Sequence, residues 1–239
     1  MADTVKLAPA MELAEKNGVH YPNESAEYRK ARTALLAEEI ELRRHAERIA
    51  EIRRALPLGG KVADYTLVGE SGPVRFEELF GDKETLVVYS MMYGPQRTKP
   101  CPMCTAMLCN WAGSARSAQE RFALAVIARS PIERLVALKK ELGWNHLRMF
   151  SDMDGAYTRA YVNAEDADVP AINVFSRRDG TVRHFWSEEM GMATADPGQD
   201  PRGSSPVDTL WTLIDFTPEG RDPKWYPSLP PEPLVTLGK

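Results

Sequence analysis

Cys101-Pro102-Met103-Cys104 is the arrangement in this chain best suited to bond-making chemistry. Two thiols two residues apart can close a disulfide ring or hold one side of a metal ion. An apolar run, Thr85-Leu86-Val87-Val88-Tyr89, comes before them, and a helix-compatible run, Thr105 to Ala112, comes after. Strand, loop, cysteine pair and helix are expected in that order. The first cysteine then sits at a helix N-terminus, where unpaired N–H groups favour the thiolate. Pro102 suits the first helical turn, since its missing N–H would have no partner there. Cys101 is expected to be the more exposed thiol and the nucleophile. Cys104, one turn inside, is expected to resolve the mixed disulfide.

The other candidates are weighed against plainer roles. A structural zinc site needs four ligands, and the chain has no second CxxC. His20, His45, His146 and His184 stand at no ligand spacing, so no metal is expected. No GxGxxG or P-loop appears, and no cofactor is expected. Cys109 lies five residues beyond Cys104, roughly 140° around a helix at about 100° per residue. It is read as a buried, inert core thiol. Arg129 ends a second apolar run, and the carboxyl ends of strands line the site in open α/β sheets. It is expected on the rim beside Cys101, holding a thiolate or an anionic group, with a helix-terminus ion pair as the alternative. Arg97 and Lys99 would favour the thiolate if their loop folds over it; otherwise they form a solvated basic loop.

The elements that must position these residues follow from pattern. A short helix is expected near Met11–Lys16. Residues 24–56 hold no Gly or Pro, start at Asn23 or Ser25 as a cap, and stop at Pro57. Leu35, Leu42, Ile49 and Leu56 recur every seven residues, giving one long helix with a narrow apolar stripe. That stripe packs either on its own domain or against a second copy. Tyr65–Val68 and Val74–Phe76 read as a hairpin, and Leu86–Met92, Phe122–Ala128 and Leu147–Phe150 as buried strands. Ser130-Pro131 starts a helix that Gly143 ends, and Asp154–Tyr161 is a short helix. Ile172–Phe175, the Asp179-Gly180 turn and Thr181–Trp186 form a second hairpin. Ser205-Pro206 opens a last helix, Val207–Ile214, and the tail after Thr217 is rich in proline, with Trp225 and Tyr226. The fold class is therefore α/β: a mixed sheet flanked by helices, with a long N-terminal helix and a proline-rich C-terminal tail. Three segments are expected: 1–60 as arm and helix, 61–217 as the main domain, and 218–239 as tail.

Composition narrows the function. The chain has 239 residues, a net charge of −4 and three cysteines, all within nine residues of one another. A secreted disulfide scaffold would spread its cysteines, and a nucleic-acid binder would be basic. Met1 to His20 holds no apolar leader, and no run is long enough to span a membrane. A cytoplasmic protein is expected, with no nucleic-acid or membrane partner, and with a homodimer formed through the long helix.

The βαβ then ββα order is the thioredoxin arrangement. Tyr65-Thr66-Leu67, Leu86–Tyr89 and Phe150-Ser151-Asp152 resemble the peroxiredoxin and thiol-reductase branches of that superfamily. More closely, the chain resembles the thioredoxin-like family called domain of unknown function 899. The matching pieces are Ala34 to Glu39, Arg54-Ala55-Leu56-Pro57, Tyr93-Gly94-Pro95 before the cysteine pair, Arg129-Ser130-Pro131, Gly143-Trp144 and Asp215 to Asp222. The resemblance implies a thioredoxin-like fold and a dithiol–disulfide oxidoreductase, acting on a protein or small-molecule thiol or disulfide. It also implies that Val169-Pro170 is a cis-proline site facing the dithiol, before the strand Ile172–Phe175. Peroxiredoxins carry a threonine three residues before the reactive cysteine and a proline seven before. Thr98 meets the first condition, but Gly94 stands at the second. A thiol peroxidase is therefore the runner-up, and a non-catalytic dimeric binding protein is the third reading.

Overall fold

The computed structural model describes residues 7–162, 168–189, 191–198, 208–222 and 224–229. The expected helix opening at Ser205-Pro206 and the end of the tail lie outside the described residues. The chain divides into two compact units, one ending at Pro57 and the other beginning at Leu58.

The first unit is helical. α1 (Ala10–Glu15) and α2 (Ala26–Arg54) pack through Ala10, Ala14 and Ala37, with Leu36 and Ile40 at the edge. Ser25 is the cap: its side chain accepts a hydrogen bond from the Tyr28 N–H at 3.0 Å. The heptad stripe faces elsewhere. Leu35, Leu42, Ile49 and Leu56 are all exposed, Leu42 by 70%.

In the second unit, alternating and continuous apolar runs give seven strands in one sheet among the described residues. They are β1 (Thr66–Gly69), β2 (Gly72–Arg75), β3 (Thr85–Ser90), β4 (Ala123–Ala128), β5 (Arg148–Ser151), β6 (Ala171–Arg178) and β7 (Thr181–Ser187). The helices are α3 (Pro102–Gln119), α4 (Ile132–Glu141), α5 (Ala156–Tyr161) and α6 (Thr209–Asp215). The sheet order is β2-β1-β5-β4-β3-β6-β7. β3 runs parallel to β4, and β4 to β5, while β6 is antiparallel to both β3 and β7. β3-α3-β4 followed by β6-β7-α6, with β3 and β4 parallel and β6 antiparallel beside β3, is the thioredoxin-like fold.

All six residues of β4 are buried, because both faces of the sheet are covered. Ala123, Ala125 and Ile127 join Leu86, Val88, Phe76 and Phe175 on one face. Leu124, Val126 and Ala128 join Tyr89, Leu108, Leu135 and Trp144 on the other. Period-two alternation in β3 and β4 thus feeds two cores at once. Two turns follow their sequence signals. Asp179 and Gly180 both take positive φ, 51° and 68°, as a tight hairpin turn requires. Gly143, at φ 67°, ends the helix begun at Ile132.

α3 lies on the second core with Cys104, Thr105, Leu108 and Ala115 buried. Its opposite face is in water, which corrects the expectation for Cys109: that thiol is exposed. The turn that carries it about 140° from Cys104 takes it away from the sheet. Leu108→Ala should therefore cost about 2–5 kcal/mol in urea unfolding, since its side chain is fully enclosed. Cys109→Ser should stay within about 0.5 kcal/mol of the parent. A larger loss at Cys109 would mean that its face of the helix is covered.

Candidate functional site

β3 delivers the chain to the site, and backbone hydrogen bonds fix how it leaves the sheet. Met91 N–H donates to the Ile127 carbonyl at 2.8 Å, and Cys101 N–H donates to the Met92 carbonyl at 3.1 Å. The loop between returns on itself, so that Cys101 becomes the N-cap of α3 with Pro102 at the first helical position. Thr105 secures the turn, donating from both its N–H (2.9 Å) and its hydroxyl (3.0 Å) to the Cys101 carbonyl.

Both cysteines of the pair are free thiols and both are buried, Cys101 at 4% exposure and Cys104 at 1%. Their environments push them apart. A hydrogen bond from the Cys104 thiol is the largest factor pulling Cys101 down to about 5, against the opposing effect of burial. The Cys104 and Met103 N–H groups and the Tyr226 hydroxyl add to it. The sulfur closes no regular helix-cap hydrogen bond, yet those N–H groups face it and favour its charge. Cys104 moves the other way, well up, because its proton is used in the bond to Cys101 and because it is buried. The Tyr89 hydroxyl lies on Cys104 and partly opposes that rise.

The dithiol is therefore held between two phenols. Tyr89 comes from β3, buried beneath the helix and against Trp111, with ring centroids 5.5 Å apart. Tyr226 comes from the tail, its hydroxyl 3.6 Å from the Cys101 sulfur. The tail is tied down before it arrives. Arg221 pairs with Asp215 at 2.7 and 2.6 Å, and Trp225 packs edge-on to Trp211 of α6 at 5.9 Å. The sequence gives no direct sign of this approach except two aromatic residues in a proline-rich stretch. It also explains why Cys101 is scarcely more exposed than Cys104: Tyr226 stands over it.

The remaining predicted residues take the following places. Arg97 pairs with Asp168, and Gly94 N–H donates to the same carboxylate at 3.0 Å; the Arg97 charge also reaches the Tyr226 hydroxyl. The cationic loop is thus fastened to the segment that leads into β6, and Lys99 is exposed. A Cβ on Gly94 would come within 3.0 Å of the Asp168 carboxyl carbon. A proline there would also lack the N–H in use, so the peroxiredoxin proline has no room at this position. Thr98 is exposed and makes no hydrogen bond to either cysteine among the described residues. Pro170 is exposed and immediately precedes β6, whose Ala171 pairs with Ser90 at the end of β3. It therefore stands at the same end of the sheet as the loop to Cys101. Arg129 follows β4 on that rim, but its guanidinium packs beside Gly155 and forms no hydrogen bond to either sulfur. Asp168, Tyr89 and Tyr226 were not singled out from sequence, because each acts through a contact distant along the chain.

No described helix is long and apolar enough to cross a membrane, and no cluster of metal-ligating side chains occurs among the described residues. Several solved structures are similar to the chain. Peroxidoxin BcpB from Mycobacterium tuberculosis is 19% identical, with a TM-score of 0.40, over 53% of this chain and 82% of that one. Peroxiredoxin Q from Xanthomonas campestris is 16% identical, with a TM-score of 0.40, over 56% and 85%. The exposed lipoprotein thioredoxin from Streptococcus pneumoniae is 17% identical, with a TM-score of 0.39, over 53% and 88%. No match was found among curated proteins. The family described as "Bacterial protein of unknown function (DUF899)" matches residues 18–230, and the chain belongs to that family.

Proposed function

We propose that the chain is a thiol–disulfide oxidoreductase whose redox pair is Cys101 and Cys104. One observation carries this reading: two free, buried thiols stand at the start of α3, Cys101 as its N-cap and Cys104 in its first turn, an arrangement that favours charge on Cys101 and the proton on Cys104. At neutral pH that is the state a nucleophile and its resolving partner need.

The order of steps follows from the same coupling. The Cys101 thiolate attacks one sulfur of a disulfide, forming a mixed disulfide and releasing the other sulfur as a thiolate. Cys101 then carries no charge. The repulsion that raises Cys104 is gone, as is the acceptor for its proton. Cys104 gives its proton to the first departing thiolate and attacks the Cys101 sulfur, closing the ring and expelling the second sulfur as a thiolate, which takes a proton from water. The resolving cysteine is thus inert until the first step is complete.

Pro170, immediately before β6, and Arg129, immediately after β4, belong in this reading to the substrate rim. The peroxidase alternative has Thr98 as its residue; an exposed Thr98 and the Gly94–Asp168 hydrogen bond favour the dithiol over it. The reading also keeps a homodimer, formed through the exposed Leu35, Leu42 and Ile49 stripe, and a reducing cytoplasm.

Cys104→Ser, incubated with hydroxyethyl disulfide, should accumulate a mixed disulfide on Cys101 that intact mass spectrometry detects. Cys101→Ser should form none at position 104. If the adduct settles on Cys104 or Cys109 instead, the roles assigned here are wrong. Sedimentation at micromolar concentration should give a dimer that Leu42→Glu dissociates; a folded parent monomer would remove the helix seam.

A further inference from the structure

The nucleophile of this site is not open to solvent. Cys101 is 4% exposed, while the ring above it, Tyr226, is 46% exposed. Tyr226 therefore has one side on the sulfur and the other in water. The two parts of the tail differ in how firmly they are held. Upstream, Arg221 is fixed by a two-pronged ion pair to Asp215 and lies 5.5 Å over the Trp211 ring. Trp211 is itself buried at 1% exposure, and Trp225 stands against it. Tyr226 follows at once and meets the site through its side chain, with one hydrogen-bond contact to the sulfur.

Reaching Cys101 by rotating one half-exposed side chain is a small motion. Lifting the tail breaks the Arg221–Asp215 pair and the Trp225–Trp211 contact together. A small molecule needs only the first. A folded protein, whose disulfide comes with its surrounding backbone, needs the second as well.

We propose that Tyr226 is a specificity-determining residue that restricts the dithiol to low-molecular-weight disulfides. Its hydroxyl donates to the Cys101 thiolate, and its ring occupies the approach that a protein disulfide would take. The proposal rests on the dithiol reading given above. The step it governs is the oxidation half-reaction. The Cys101 thiolate displaces one thiolate from R–S–S–R, and Cys104 displaces the second. Two electrons pass from the dithiol to the small disulfide, which leaves as one thiol carrying the Cys104 proton and one thiolate that takes its proton from water. Tyr226 keeps its proton throughout. Burial and the neighbouring Cys101 charge both hold its hydroxyl protonated, so it serves as a hydrogen-bond donor and not as an acid.

The test compares the full-length reduced protein with Tyr226→Ala and Tyr226→Phe. Each is mixed with hydroxyethyl disulfide or with insulin, and the Cys101–Cys104 disulfide is followed by mass spectrometry. Tyr226→Ala should raise the insulin rate relative to the hydroxyethyl disulfide rate by about tenfold or more, as removal of a steric filter does. Tyr226→Phe keeps the ring, so the ratio should remain that of the parent. It loses the donor, so the pH midpoint of Cys101 alkylation should move upward. An unchanged rate ratio in Tyr226→Ala would overturn the filter, and an unmoved midpoint in Tyr226→Phe would overturn the hydrogen bond. If Tyr226→Ala proves unfolded by circular dichroism, Trp225→Leu, which weakens the anchor while keeping Tyr226, must raise the same ratio or the filter is rejected. If neither disulfide oxidises Cys101 and Cys104 in any form of the protein, the dithiol reading itself falls. If the disulfide forms but the ratio never moves, only the role of Tyr226 falls.

Discussion

A negative charge on a sulfur with almost no access to water persists only if hydrogen-bond donors replace the solvent. That requirement organises the second unit of this protein. The Cys101 sulfur receives the Cys104 thiol from one helical turn away, the N–H groups of Met103 and Cys104 from the helix start, and the Tyr226 hydroxyl from the tail. Each donor comes from a different structural device, and each device has its own cause in the chain. Pro102 starts the helix without wasting an N–H, so that the next two N–H groups lie under the sulfur. The Cys101 to Met92 hydrogen bond fixes where that helix begins. The Arg221–Asp215 and Trp225–Trp211 contacts fix where the tail passes.

The sheet supplies the rigidity beneath. β3 is central, parallel to β4 on one side and antiparallel to β6 on the other. Its alternate residues enter both cores, so it cannot slide without unpacking each face. Tyr89 uses this to reach Cys104 from below at a defined height. Asp168 performs a similar service above the sheet. By accepting from Gly94 and pairing with Arg97, it joins the loop before Cys101 to the segment before β6. Arg97 therefore holds the loop in shape through Asp168, while neutral donors supply the hydrogen bonds that favour charge on Cys101.

What was legible in the sequence was whatever is decided locally. The cysteine pair at a helix start, the proline after it, the Gly143 stop and the Asp179-Gly180 turn each depend on a few neighbouring residues, and each was placed within a residue or two. The alternation of β3 and β4 and the order of the elements were enough for the thioredoxin-like fold. What was not legible depends on pairs brought together by folding. Tyr226 is 125 residues from Cys101, and Asp168 is 71 from Arg97; no local pattern links them. Cys109 differs from its expected burial for another reason. Its chemical type argued for burial while its helical angle argued against it, and the angle was the better guide because only one face of α3 has a sheet to cover it.

The central claim is that Cys104 keeps Cys101 ionised, and it is open to one direct measurement. Ultraviolet thiolate absorbance is titrated in reduced Cys109→Ser protein, with and without a further Cys104→Ala change. The account predicts a thiolate that forms at about pH 5 when Cys104 is present. Without Cys104 the midpoint should rise toward the free value of about 8.5, because the principal donor has been removed while burial remains. A midpoint near the free value in the presence of Cys104, or a low midpoint that does not move when Cys104 is removed, would contradict it.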